Sequence, residues 1–507
     1  MKVEKLILEN FRSYKDEITN DFNDLNVFVG RNDIGKSTIL EALDIFFNDN
    51  KGVIKIDKDD INKQAIAEGN TETKIGVVFG SLPDALTIDA TNPTTLEAEY
   101  LLNRDGKLEI IKKYPNAGKE KIFVKAFHPT NPLCSDLLLK KQGDLKKLLT
   151  DDMICEDQTK NAEIRKSIWA HYTENLALDD VEIELAKIDA KNTWDQLKTY
   201  LPMYALFQSD RKNSDGDSEI QNPMKLAVQE ILKDRRLMDS LNQVANEVEA
   251  KLKEVAGKTL EKLNEMNPEI AESLTPVIPS AESLKWVDVF KNVSISSDDN
   301  IPINKRGSGV KRLILLNFFR AEAERRKNED NVSDIIYAIE EPETSQHPIH
   351  QRKLIEAFKV LAESDNTQIL LTTHSPSIVK LLEFDHIKLI KDEPLIEVVN
   401  VQRHELPYPS LNEVNFLAFG ESNDEYHNEL YGFIESEELL GEYKAGKETI
   451  AYIRMRRGNR SKQQIIISEY IRHQIHHPEN THNVRYTHQQ LQESIGEMRV
   501  FIEAQGL

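Results

Sequence analysis

The stretch Gly30-Arg-Asn-Asp-Ile-Gly35-Lys36-Ser37 limits what this chain can fold into more than any other. It matches the pattern G-x-x-x-x-G-K-[ST]. The apolar run Leu25–Val29 before it reads as a strand, and the residues from about Lys36 to Phe47 after it read as a helix. Glycines at these places let backbone N–H groups curl around a β-phosphate with no Cβ in the way. Lys36 supplies charge to the β- and γ-phosphates, the Ser37 hydroxyl suits Mg²⁺, and the helix N-terminus adds its partial positive charge. ATP and Mg²⁺ are therefore the expected cofactors.

Two further runs carry chemistry. Ile335-Ile-Tyr-Ala-Ile339 has the uninterrupted apolar character of a strand buried on both faces, and it ends in Glu340-Glu341-Pro342-Glu343. Adjacent carboxylates at a buried strand tip need a cation or a proton to offset them. Glu340 fits the Mg²⁺-associated acid, a place where Asp is more usual, and Glu341 fits the base that orients an attacking water. Gln368-Ile-Leu-Leu-Thr-Thr-His374-Ser-Pro is a second buried strand, with His374 at its tip where a sensor of the γ-phosphate would sit.

These three elements, in this order, resemble ABC-type ATPases of the RecF, SMC and OLD group, and the opening Leu8-Glu-Asn-Phe-Arg12-Ser13 resembles the start of that group. The resemblance implies an α/β fold: an ABC-type P-loop head with a helical insertion and a short coiled-coil-like arm, followed by a mainly α-helical C-terminal domain. It implies hydrolysis of ATP at a dimer interface. It places Arg12, Asn32 and Thr38 beside the loop residues at the nucleotide. Lys305-Arg-Gly-Ser308-Gly309-Val-Lys-Arg312 stands where the signature loop lies; it departs from LSGGQ but keeps a small hydroxyl and bare backbone. In the family that loop caps the γ-phosphate held by the other protomer. Ser345-Gln-His-Pro348 would communicate across the dimer, and Gln208 would join Mg²⁺ to the inserted arm.

The expected organisation is a first head lobe over 1–130, with an antiparallel side over 72–130, and a helical insertion over 131–200. A Gln208 region and helical arm follow over 201–280, a second head lobe over 281–405, and a helical domain over 411–507. Within the arm, Leu237, Leu241, Val244, Val248, Leu252, Val255 and Thr259 recur at steps of three, four and seven, as in a heptad stripe or in two helices of one bundle.

Composition narrows the function classes. A net charge of −21 makes the whole chain a poor general binder of nucleic acid, so such contact is expected only through the local patches Lys305–Arg312 and Arg454–Lys462. No apolar stretch is long enough to span a bilayer, and the N-terminus is charged and broken, unlike a signal peptide. Cys134 and Cys155 have no metal-ligand partner at motif spacing and fit a reducing cytoplasm.

The C-terminal segment holds no glycine-flanked acidic strand motif of the TOPRIM nuclease type found in OLD proteins. It does contain Arg472-His473-Gln-Ile-His476-His477, which resembles the R-x4-H motif of HEPN domains, small dimeric helical RNases. There a His takes a 2′-OH proton and an Arg holds the phosphate. The other reading of this segment is a solvated or dimer-contact face; a zinc site from His473, His476 and His477 lacks a second ligand pair. Asn412–Phe419 and Tyr426–Tyr431 resemble a stretch in ATPase subunits of Septu and retron-associated anti-phage systems, which act with a separate nuclease. The expected function is thus an oligomeric ATPase that gates a nuclease, either a partner or its own C-terminal domain. A RecF-like repair ATPase without nuclease, or a scaffold holding a toxic partner, are the alternatives.

Overall fold

The structure is a computed structural model. It describes residues 1–32, 34–89, 92–185, 191–208, 228–266, 334–344, 346–391, 396–401, 410–456 and 459–506, with the single residues Trp286, Asn317, Phe319 and Ala321. The Lys305–Arg312 loop, with Ser308 and Gly309, lies outside the described residues, as does Ser345.

Two six-stranded sheets make the head. One is antiparallel, in the order Ile18–Asp21, Lys2–Glu9, Glu72–Gly80, Leu108–Pro115, Lys121–Pro129, Leu178–Glu184. The other runs Met203–Phe207, Ile335–Glu340, Thr367–Thr373, Leu25–Val29, Ile387–Lys391, Glu397–Asn400; its first five strands are parallel and the last pairs antiparallel at the edge. The period-2 alternation of side chains divides the parallel strands between two cores. Phe28, Ile336, Ala338 and Leu370 face the antiparallel sheet, while Val27, Val29, Tyr337, Ile339 and Leu371 face the helix Pro348–Ala362. A strand buried on both faces reads as an unbroken apolar run, which is what 335–339 and 369–371 are.

The helix Lys36–Phe47 packs in the first of these cores, and all its residues but Ser37 are buried. It has no side-chain N-cap. Its first-turn N–H groups therefore have no capping side chain and face the loop.

The 131–200 segment departs from the helical expectation. It contains the helices Gln142–Lys147, Asn161–His171 and Lys191–Lys198, but Leu178–Glu184 is a strand that closes the edge of the antiparallel sheet. Its acidic side chains lie at an exposed edge, where Arg104 pairs with Asp179 and Asp180 and Lys113 pairs with Glu182. The arm is one helix, Arg235–Met266, of 32 residues or about 48 Å. Leu237, Val244, Val248, Leu252 and Val255 of the stripe are exposed.

The C-terminal segment has its own core, from Tyr426, Leu430, Ile434, Ile471, Leu491, Ile495 and Met498. It is helical except for a hairpin of Thr449–Arg456 with Asn459–Ile466, which the helical expectation missed. The run Thr-Ile-Ala-Tyr-Ile of the first strand, followed by Arg-Gly-Asn, carries the strand–turn signal. Among the described residues no helix is long and apolar enough to cross a membrane.

Candidate ATP site at the strand tips

Parallel registration brings the chemistry together. Phe207 pairs with Ile339, Glu340 with Thr372, and Thr373 with Val29. The next residue of each strand, namely Gln208, Glu341, His374 and Gly30, therefore emerges at one end of the sheet, where ligands bind in open α/β folds. Residues separated by up to 344 positions in sequence thus share one rim.

At the loop, Lys36 Nζ donates to the carbonyls of Gly30 and Arg31, each at 2.7 Å, so its ammonium is drawn back over the loop. Gly35 has φ of +103°, and a Cβ there would lie 2.9 Å from Ser13 Oγ and 3.1 Å from the Tyr14 hydroxyl. Both the left-handed backbone and the close approach require glycine. The Tyr14 hydroxyl donates to the Gly35 carbonyl at 3.2 Å and pins the loop from the opening segment. Thr38 is buried in the first helical turn, whereas Asn32 is exposed.

Beside the loop lies an acidic cluster. Gln208 Nε2 donates to Glu41 Oε1 at 2.9 Å and to Glu340 Oε1 at 3.3 Å, and Ser37 also hydrogen-bonds to Glu340. Burial first, then the negative charge of Glu41, pushes the Glu340 carboxyl up to about 7, against the opposing hydrogen bonds from Gln208 and Ser37. Gln208 Oε1 is buried without a hydrogen-bond partner. A hydroxyl, an orphaned amide oxygen and a carboxylate whose pKa is raised by burial and by a neighbouring carboxylate are the donor set of a hard divalent cation. Among the described residues no group of three or more His, Cys, Asp or Glu could hold a metal alone. The set suits Mg²⁺, which binds through one or two carboxylates and completes its shell with water and substrate phosphate.

Arg12, expected at the nucleotide, is tied between Glu41 and Asp60, with Nε at 2.7 Å from Asp60 Oδ1 and an ion pair to Glu41. Its guanidinium holds the carboxylate that flanks Glu340. Glu41 was not singled out in the sequence. The signal was present, since it stands four residues after Ser37 and so on the same helical face.

Glu341 and His374 meet across the rim, with Nδ1 at 2.9 Å from Oε1. Glu341 has φ of +42°, a conformation costing of order 1–3 kcal/mol for a side chain like this, and its N–H donates to the Thr372 carbonyl at 3.0 Å. From this turn the Glu341 side chain reaches the His374 tip. Glu343, also missed, is buried and accepts from Thr373 Oγ1 at 2.5 Å and the His374 N–H at 3.3 Å. It locks the two tips together. His347 caps the helix that follows by accepting from the Ile349 N–H.

Away from the rim, Arg472 and His477 each have an acidic partner. Arg472 donates to Glu435 Oε2 at 2.8 Å and lies over the Tyr431 ring at 4.4 Å. His477 follows the end of the helix Ile467–His476 and sits 3.2 Å from Glu479. The Asn412–Phe419 stretch docks on the head instead: Asn415 Nδ2 donates to the Pro376 carbonyl at 3.2 Å, and Lys380 pairs with Glu425. Nearby, Glu413 is fully buried 2.9 Å from Arg499, yet burial, with Glu503 and Glu429 adding, pushes its carboxyl up to about 7. A carboxyl raised from 4.5 binds its proton more tightly in the folded state. Its contribution to stability is therefore full below about 4.5 and falls away as pH rises through about 7. Glu413→Gln should flatten that loss, on the order of 3 kcal/mol. The check is thermal unfolding of parent and variant from acid to alkaline pH, with the variant gaining only on the alkaline side.

The chain is 24% identical over 406 residues to Endonuclease GajA of Bacillus cereus (strain VD045), covering 79% of this chain and 59% of that protein. It is 30% identical over 135 residues to OLD nuclease of Thermus scotoductus (strain ATCC 700910 / SA-01), covering 26% and 25%. The chain thus matches well under two thirds of the length of either relative. Similar solved structures include the SMC head domain from Thermotoga maritima, at 11% identity and a TM-score of 0.32, covering 79% of this chain and all of that one. Another is an Smc head domain with an extended coiled coil bound to the C-terminal domain of ScpA from Pyrococcus furiosus, at 12% identity and a TM-score of 0.39, covering 78% and 95%. Residues 1–379, which carry the loop, the acidic strand and His374, match the family described as AAA ATPase domain, and the chain belongs to that family.

Proposed function

We infer that this ATPase regulates a nuclease in anti-phage defence, working as a homodimer or higher oligomer that closes over ATP and Mg²⁺. Lys36 and the Gly30–Gly35 loop would bind the phosphates, and Ser37, Glu340 and Gln208 would hold Mg²⁺, which neutralises phosphate charge. Glu341, set by its contact with His374, would orient the attacking water. Ser308 and Gly309 would cap the nucleotide of the facing protomer. The half-exposed His374 fits a histidine that meets its phosphate only when protomers close.

The observation that carries the regulatory part is the docking of the C-terminal domain. The residues it grips are Pro376, which begins the short helix Pro376–Val379 two residues after His374, and Lys380, which caps its C-terminus. A shift of the His374 tip on ATP turnover would reach the C-terminal domain with no intervening element. The pairing of Arg472 with Glu435 favours a separate nuclease partner over an RNase built on Arg472 and His477, because a phosphate would have to displace that carboxylate. GajA and OLD nuclease, by their names, are nucleases themselves.

The test is to purify the chain alone and together with any nuclease encoded beside it, and to follow RNA and DNA cleavage with and without ATP. The expected result is no cleavage by the chain alone and ATP-responsive cleavage with the partner. RNA cleavage by the chain alone, lost in Arg472→Ala and His477→Ala with ATPase intact, would move the nuclease into the C-terminal domain. If no arm shows cleavage that responds to ATP, the regulatory reading fails.

A further inference from the structure

The C-terminal domain carries a β-hairpin outside its helical core. Its strands pair from Thr449 with Ile466 to Arg456 with Asn459. The base is firmly held. Tyr452, Ile465 and Tyr470 pack into a small core, Asn483 Oδ1 accepts the Ile453 N–H at 2.7 Å, and Asn480 and Asn483 both donate to the Ile453 carbonyl at 2.9 Å. Beyond Ile453 the ribbon stands free, since Arg454, Met455, Arg456, Asn459, Arg460, Ser461 and Lys462 are all exposed.

Residues 449–466 hold five Arg or Lys and no Asp or Glu, in a chain whose net charge is −21. Arg454, Arg456, Arg460 and Lys462 make no ion pair among the described residues. Register puts Arg454 opposite Ser461 and Arg456 opposite Asn459, so these two arginines share one face; Arg460, opposite Met455, and Lys462, opposite Ile453, share the other. Both faces of the ribbon are therefore cationic. A basic surface patch presents charge to one side only, whereas charge on two opposite faces suits a partner with anions on two sides.

We propose that this hairpin inserts into the major groove of B-form duplex DNA, with one pair of cations toward each wall of phosphates. Two paired strands about 4.8 Å apart, with their side chains, fill a groove about 12 Å wide, and the exposed reach beyond Ile453, roughly 10 Å, matches its depth of about 8.5 Å. Single-stranded nucleic acid is a poorer fit, because such sites stack bases on exposed aromatics. The ribbon's one aromatic, Tyr452, is 2% exposed. Double-stranded RNA is also a poorer fit, because its deep, narrow major groove excludes such an element. The inference draws on charge and register alone and stands apart from the ATPase-gated reading.

The experiment is fluorescence anisotropy of a labelled duplex DNA of about 20 base pairs, titrated with the full chain across a range of KCl; that length spans about two helical turns. Arg456→Ala/Arg460→Ala removes one cation from each face. It should weaken binding by about tenfold or more and reduce the slope of log K against log salt by about 2. Arg456→Glu/Arg460→Glu should abolish binding. ATP hydrolysis should be unchanged in both variants, which confirms that the fold is intact. Parent-like DNA affinity in the charge-reversed chain would overturn the proposal. So would tighter binding of single-stranded DNA or of duplex RNA of the same sequence, or no duplex binding by the parent at low salt.

Discussion

Lys36→Ala is expected to lower ATP affinity by about two to four orders of magnitude, the loss of two charge-assisted hydrogen bonds to phosphate at roughly 1.5–3 kcal/mol each. The ammonium is already poised, since its Nζ rests 2.7 Å from the carbonyls of Gly30 and Arg31 and needs only to exchange them for phosphate oxygens. Those contacts also mean that the substitution frees the loop, so fold and affinity must be read separately. The helix Lys36–Phe47 is buried along nearly its whole length and does not depend on the Lys36 head group, so thermal unfolding without nucleotide should change little. Binding is measured by titration with a fluorescent ATP analogue. An affinity within about fivefold of the parent, a difference near 1 kcal/mol, would remove Lys36 from the phosphate site.

Much of this site was legible because its parts are local in sequence and only their assembly is not. The loop pattern, the apolar run before Glu340 and the run before His374 each carry a strand-tip signature of a few residues. A parallel sheet with matched registers is enough to place the three tips side by side. What could not be read were side chains whose role comes from tertiary neighbours. Arg12 is expected at the nucleotide, but its pairing with Glu41 and Asp60 at the edge of the acidic cluster comes only from the fold. Glu343 looked like one more acid in an acidic turn, and it is the buried clamp between two tips. Within the hairpin at Thr449–Ile466 only Thr449–Ile453 carries a strand signal, because the arginines beyond it mask the alternation that marks a strand. The R-x4-H spacing was visible but not decisive. His477 lies just past the end of the helix that carries Arg472, so helical spacing alone does not bring the two side chains together.

Glu341→Gln should leave ATP binding near the parent value and reduce turnover by about 10²–10⁴-fold, the range for losing a group that manages a proton in the transition state. Gln keeps the size of the side chain and its reach to His374, so the 2.9 Å contact can be replaced by an amide hydrogen bond and the tip held in place. The positive φ at this position is a property of the turn between Glu340 and Pro342, stabilised by the Glu341 N–H on the Thr372 carbonyl, and the substitution does not touch it. Only the carboxylate, the group proposed to polarise water, is lost. A protomer that binds ATP but cannot release it should then accumulate in the closed assembly, seen as an ATP-dependent shift to larger size in chromatography that the parent shows only transiently. Glu340→Gln gives a contrasting outcome. Its carboxyl lies with Ser37 and Gln208 rather than with His374. Removing it should weaken the dependence of binding on Mg²⁺ as well as slow hydrolysis. If Glu341→Gln turns over ATP at the parent rate while Glu340→Gln does not, the roles of the two acids are reversed, and His374 orients a structural carboxylate instead of the one that activates water.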